Sequence, residues 1–241
     1  NEMANFNGLA AIETPEFLES VKDKLGTVDA YNHYSVGWAW AMCTPYQWTK
    51  QVASHWGGPR NGTIVHWPAA ITAKGEVRSQ FTHVIDLAPT VLEAAGIPEP
   101  LFVNGVQQSP IEGTSMVYSF DDADAAERHD LQYFEMAGNR GIYFKGWSAV
   151  TRHSIPWLPN QVLPPLDDDV WELYDGNVDW TQANDLAASD PDRLASLQRL
   201  WLIDQLQPNQ SAYNIANAYR LRGALDVFAL QQALVGMVQR H

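Results

Sequence analysis

The 241-residue chain has a single cysteine, Cys43, so it can form no internal disulfide framework, and a thiolate-rich zinc site is excluded with it. That lone cysteine does not fix the compartment. Basic residues are scarce as well: 15 Lys and Arg stand against 28 Asp and Glu, a net charge of −13, which argues against nucleic acid and against anionic membranes as general partners. A local basic site for an anion stays open. No apolar run approaches the roughly 18 residues of a transmembrane helix. No basic-then-apolar leader opens the chain either, although a chain that starts on Asn1 says little about what precedes it. Internal repeats and low-complexity tracts are missing. What is there is a chain that is 46% hydrophobic, long enough to bury a substantial core as one large or two small domains.

The patterning predicts an α/β beginning and an antiparallel end. TPEFLESVKDKLG reads as a helix with Thr14 as cap, Pro15 in the first turn and Gly26 as stop, which places Phe17, Val21 and Leu25 on one face. Residues 27–63 are rich in Gly, Pro, His and Trp without periodicity and read as a long ordered loop with one short helix around 45–54. GTIVHWP (62–68) has the composition of a short buried strand, and FTHVIDLAPTVLEAAGIP runs from a strand at 81–85 into a helix ended by Gly96 and Pro98. After a loop at 99–120, LQYFEMAGNRGIYFKGWSAVTRH alternates and turns at Gly138-Asn139, DVWELYD gives a further strand, and a helix starts near Pro191 with Ser189 or Asp190 as cap.

Cys43 sits in a Cys-x-Pro setting, AMCTPYQWTK, which raises the question of a nucleophile. The blocks that answer it are YNHYSVGWAWA, TPYQWTKQVASHWGGPRNGTIVHWP, HVIDLAPTVLEAAGIP, VNGVQQSPIEGTSM, YFEMAGNRGIYFKGWSAVTRH and WELYDGNVDWTQANDLA. In these blocks and their order, over about residues 1 to 200, the chain resembles an arylsulfatase of the formylglycine-dependent family. The resemblance implies an alkaline-phosphatase-like α/β sulfatase fold, here partial, with a C-terminal antiparallel-sheet-plus-helix subdomain. It implies hydrolysis of aryl or alkyl sulfate esters by the complete protein, with a sulfate-ester small molecule as partner; the alternative it leaves open is a sulfatase-like scaffold without catalysis. Formylglycine and a divalent metal, calcium or magnesium, are the cofactors it implies for the complete enzyme.

The family's Cys-x-Pro-x-Arg nucleophile motif is not met at Cys43, because Gln47 stands where Arg belongs and cannot supply a fixed charge. Nor are the family's paired aspartates or Asp-Asn metal pair present. By alignment, Lys50, which precedes Gly57-Gly58 and Arg60, matches the family's sulfate-contacting lysine, and Cys43 reads as a small packed residue on the same loop. Lys50 is therefore the candidate catalytic and substrate-binding residue. No metal ligand is assigned, and no cofactor is expected to be held by this chain alone. The missing N-terminal half of the sulfatase becomes an expected partner.

Other polar residues read as structural. Asp167, Asp168 and Asp169 look like a solvated acidic turn, and His33, His55, His66 and His83 lack the i, i+4 pairing of a metal site. Asp86, at a strand-to-helix junction, reads as a cap on the helix N–H groups.

From about Ser196 the sequence departs. SLQRLW and the following strand-then-helix pattern, with Tyr213, Ile215, Tyr219 and Leu221 on a strand face and Asp226 capping a helix, resemble the start of a nonribosomal peptide synthetase condensation domain. The expected division is 1–125 for the later α/β part, 126–201 for the antiparallel subdomain and 202–241 for the condensation-like tail.

Overall fold

A computed structural model describes residues 14–29, 36–158 and 161–205, all within one compact unit. The residues that carry the condensation-domain resemblance beyond Gln205, and His33, lie outside them.

Helix α1 (Pro15–Val21) begins as the sequence predicts, with the Thr14 hydroxyl accepting the Phe17 N–H at 3.2 Å. It then tightens into a 3-10 turn over Lys22–Lys24. None of its residues is buried, and Phe17 and Leu25 stay exposed. The expected short helix at 45–54 is absent; the helix instead lies earlier, at α2 (Val36–Cys43), and residues 44–59 form a succession of tight turns. That stretch holds Trp48 and Gln51 at positive φ, which no helix tolerates.

Two further expectations are corrected. Residues 62–68 form no strand; Ile64 and Val65 are exposed in extended chain. Residues 81–85 are likewise unpaired and lead through a 3-10 turn (Val84–Asp86) into α3 (Leu87–Ala95). The reason is common to both: an apolar run becomes a strand only when a neighbour completes its ladder, and no described segment offers one. Helix α3 ends as predicted, on Gly96 in the left-handed region. The stretch 99–120, read as loop, contains a two-residue hairpin, β1 (Phe102–Val103) and β2 (Val106–Gln107), turned by Asn104-Gly105 at positive φ.

The antiparallel part is as the alternation predicts. Strands β3 (Leu131–Met136), β4 (Asn139–Phe144), β5 (Trp147–Thr151) and β6 (Trp171–Asp175) form a four-stranded meander in sequential order. The first turn is one residue earlier than expected, at Ala137-Gly138, both with positive φ.

Alternation gives the sheet two faces. On one, Ile142, Ala149 and Leu173 pack with Leu197 of α4 (Pro191–Gln205), flanked by Leu194 and Trp201. The predicted cap is Asp190, whose carboxylate accepts the Arg193 N–H at 3.1 Å. On the other face, Phe134 and Tyr143 pack with Trp56, Tyr46 and Phe81. The sheet is thus covered on both sides, and its second cover is the long turn-rich loop.

Candidate functional site

The loop over residues 44–60 is fixed to the sheet by polar contacts that the sequence does not announce. Gln182, fully buried and at positive φ, accepts the Trp56 N–H on its side-chain oxygen at 2.8 Å and donates its amide to Ser148 Oγ on β5 at 3.1 Å. Its backbone carbonyl accepts from the Gln47 amide, which also donates to the Tyr174 hydroxyl at 3.2 Å. Asn139, at the start of β4, donates to the Gln51 carbonyl at 3.2 Å. Gly141 lets the loop approach the sheet: a Cβ there would lie 3.0 Å from the Ser54 carbonyl oxygen.

Inside the loop the two consecutive glycines make the fold possible. A Cβ on Gly57 would meet the Trp48 carbonyl oxygen at 2.2 Å, and one on Gly58 would meet the Val52 carbonyl oxygen at 2.2 Å. The Gly-Gly pair is therefore a packing requirement that returns the chain on itself.

His55 is fully buried beneath this loop, with Ser54 Oγ 2.9 Å from its Nδ1 and Glu172 Oε2 3.3 Å from its Nε2. Burial would raise the Glu172 carboxyl, but hydrogen bonds from His55 and Tyr174 outweigh it and hold the group below its ordinary range. An ionised Glu172 can only accept, so His55 carries its proton on Nε2. The Tyr174 hydroxyl is pushed upward, by burial first and by the Glu172 carboxylate second. Serine, histidine and glutamate in a row suggest nucleophilic catalysis, yet Ser54 is only 1% exposed and no substrate reaches it. The set locks a tautomer, in line with the structural reading of His55.

Lys50 is held at the outside of this structure. It is exposed, and no hydrogen bond or ion pair engages its ammonium group among the described residues. Cys43, seven positions earlier, is half-buried with Sγ 3.3 Å from Thr49 Oγ1. Gln47, the residue in place of the motif's arginine, turns to Gln182 and Tyr174, so nothing charged supports the thiol from that position.

Two buried ionic sets lie elsewhere. Asp86, 0% exposed, accepts the His83 N–H and the Thr114 N–H at 2.7 Å each and lies 2.8 Å from His129 Nδ1. It is structural, as expected, but its carboxylate turns back toward His83 and across to Thr114 and His129 instead of capping α3. The other ring nitrogen of His129 lies 3.0 Å from Gln132 Oε1, whose amide nitrogen is committed to the Tyr133 carbonyl. Both ring nitrogens thus face acceptors, an arrangement that favours the imidazolium. Burial lowers its pKa, but the Asp86 hydrogen bond and charge prevail and raise it; Asp86, raised by burial, is pulled down further by His129 and its backbone donors. His83 is lowered, first by burial and then by the His129 charge.

The second set corrects the reading of the acidic turn. Asp167 and Asp168 are exposed, but the Asp169 side chain is 2% exposed, 2.9 Å from His153 Nδ1 and paired with Arg140. Arg140 lies in turn over the neighbouring rings of Trp171 and Trp201, 5.4 Å from each.

Among the described residues no group of three or more His, Cys, Asp or Glu could hold a metal ion. Gln47 stands where the motif's arginine would support a formylglycine at Cys43. The described residues thus offer neither a metal-ligand cluster nor the motif that carries a formylglycine.

No protein-family model matches the chain. Over 191 residues, 78% of this chain, it is 26% identical to an uncharacterized sulfatase of Schizosaccharomyces pombe. Over most of its length the chain is thus similar to a sulfatase. It spans 32% of that relative, about a third. A separate match over 44 residues, 18% of the chain, is 54% identical to a linear gramicidin synthase polypeptide of Brevibacillus parabrevis and covers 1% of that protein. Among solved structures, one from work on glycosaminoglycan metabolism by Bacteroides thetaiotaomicron aligns with a TM-score of 0.47 and 18% identity over 65% of this chain and 31% of that one. Another, solved with its substrate D-glucosamine-2-N,6-O-disulfate, gives a TM-score of 0.42 and 22% identity over 59% and 27%.

Proposed function

We propose that this sulfatase relative is the C-terminal portion of an enzyme that hydrolyses aryl or alkyl sulfate esters, and that Lys50 contacts the sulfate group. The observation that carries the reading is the 191-residue match to a sulfatase. The geometry supports the choice of Lys50: a turn-rich loop locked to the sheet by Gln182 and Asn139 presents one ammonium group with no partner of its own among the described residues. Cleavage of a sulfate ester builds negative charge on the sulfuryl oxygens and on the departing oxygen, and a fixed cation meets that charge. Lys50 binds and orients the sulfate through its ammonium N–H groups, and the rigid loop spares the lysine a reorganisation cost.

On this reading the chain has no nucleophile or metal ligands of its own and is inactive alone; formylglycine and the divalent ion belong to the remaining part of the protein. The division at about 125 and 201 is part of the same proposal. The purified chain does not turn over p-nitrophenyl sulfate, and in the completed protein Lys50→Ala lowers kcat/KM by about 10²–10³, the scale of losing one charge-stabilising donor. Turnover by the chain alone, or a Lys50→Ala effect no larger than that of Cys43→Ala, refutes the assignment.

The 44-residue match favours a second reading for the tail only: that it is the opening of a condensation domain in a fusion or joined fragment. A His-His-x-x-x-Asp-Gly motif in the coding sequence downstream supports it, and a stop codon or unrelated sequence there excludes it.

A further inference from the structure

Among the described residues no acidic group claims the Arg152 guanidinium: it is exposed, and neither a hydrogen bond nor an ion pair engages it. Glu172 directs its Oε2 to the His55 ring and the Tyr174 hydroxyl and makes no ion pair with Arg152. What holds the guanidinium is a ring, that of Trp48, over which it lies 4.9 Å from the centroid. Trp48 is itself fixed. It packs on Trp40 with ring centroids 4.9 Å apart and has a φ of 65°, a left-handed conformation that a bulky residue rarely adopts. A guanidinium stacked in this way keeps its N–H groups free, since stacking uses its face and hydrogen bonding its edge.

The fold brings this cation toward Lys50. Asn139, fully buried, donates to the Gln51 carbonyl at 3.2 Å and accepts the His153 and Ser154 N–H groups at 2.9 and 3.0 Å. One side chain thus joins the backbone next to Lys50 to the backbone next to Arg152, and Trp48, two positions before Lys50, is a second tie. In a chain of net charge −13, a pair of exposed cations without partners among the described residues, on adjoining segments, marks a place for anions. A sulfate monoester carries one negative charge, which Lys50 meets on the reading above. The Arg152 fork, whose geometry matches two oxygens of a carboxylate or sulfate, is left for another. We propose that Arg152 binds a second anionic group, carboxylate or sulfate, on the organic part of the ester held by Lys50, with Trp48 as its positioning residue. The proposal rests on the reading of Lys50 as the sulfate contact.

Non-hydrolysable sulfonates test it on the full 241-residue chain by isothermal titration at low ionic strength: benzenesulfonate, benzene-1,3-disulfonate and 3-sulfobenzoate. The wild type binds one or both doubly charged probes at least about tenfold more tightly than benzenesulfonate, the scale of one charge-assisted contact, and which of them gains tells sulfate from carboxylate. General attraction gives no such gain, because the acidic chain repels the second charge. Arg152→Gln brings the affinities within about twofold of one another, and its melting temperature stays within ~2 °C of wild type, as for an exposed side chain. Trp48→Leu loses part of the gain, and Trp48→Phe, which keeps a ring under the guanidinium, restores it. A gain absent from the wild type, or one that survives Arg152→Gln, overturns the proposal. So does a benzenesulfonate loss in that variant as large as the disulfonate loss, which would make Arg152 share the first group with Lys50, or a failure of all three probes to bind. Lys50→Gln separates the two readings: weaker binding of every probe with the ratio kept supports both, whereas unchanged benzenesulfonate binding refutes the Lys50 assignment and leaves the Arg152-dependent ratio standing.

Discussion

Replacing His129 by alanine removes the cation that neutralises Asp86, a carboxylate with a side chain 1% exposed. Breaking a buried ion pair from one side costs about 3–5 kcal/mol. Asp86 keeps two strong acceptor contacts, the His83 and Thr114 N–H groups, so the lower end applies, about 3 kcal/mol. For a folded unit of this size that corresponds to a melting temperature lowered by roughly 6–12 °C.

The same pair imposes a pH dependence whose sign follows from the shifts. His129 has its folded pKa raised, so its contribution is complete below the unfolded histidine value of about 6.5 and is lost as pH rises through the folded value. Asp86 has its folded pKa lowered, so its contribution is present above about pH 4 and is lost as pH falls through the folded value. His83 acts oppositely to His129: its folded pKa is lowered, so the native state takes up protons less readily and stability rises with pH until about 6.5. Wild-type stability therefore peaks near neutrality and declines on the alkaline side, with a slope of at most about 1.4 kcal/mol per pH unit from one group. Thermal melts of the full chain followed by tryptophan fluorescence from about pH 5 to 9 measure this. An alkaline decline that is identical in wild type and His129→Ala refutes the buried imidazolium, and an unchanged melting temperature near pH 6 refutes the ion pair's structural role.

Gln182→Ala deprives the buried Trp56 N–H of its acceptor and Ser148 Oγ of a donor, and a loss of about 2–4 kcal/mol is expected, with faster hydrogen exchange at Trp56 as the local signature. Unchanged exchange at Trp56 counts against the staple. Gly58→Ala drives a methyl group into the Val52 carbonyl and should cost more than about 2 kcal/mol by denaturant unfolding; a neutral effect means the loop reaches its fold by another path. Cys43→Ala removes a half-buried thiol with one weak polar contact, so a change within about 1 kcal/mol is expected from the same titration. Asp169→Asn leaves Arg140 and His153 facing a neutral amide, and a loss of about 2–4 kcal/mol checks that the pair is buried and not a solvated turn.

Period and punctuation determined the local structure wherever partners lie nearby in the chain. The strands from 131 to 151 alternate and find one another through tight turns, the strand at 171–175 joins them after a longer excursion, and all bury the faces their alternation predicts; Thr14, Gly96 and Asp190 bound helices because capping acts over three or four residues. The ordered blocks that resemble a sulfatase were likewise legible in the sequence. Contacts between distant segments were not. The residues that tie the loop to the sheet, Gln182 to Trp56 and Glu172 to His55, are separated by 126 and 117 positions, and no local pattern links them. Asp169 differs from Asp168 only by where the fold puts it, against Arg140 and His153. The apolar run at 62–68 has strand composition yet stays unpaired, because a ladder needs a second chain segment and composition supplies only the first. Residue types set what each position can offer; the tertiary structure alone decides which offers meet, since hydrogen bonds and buried charges depend on distances that separation along the chain does not encode.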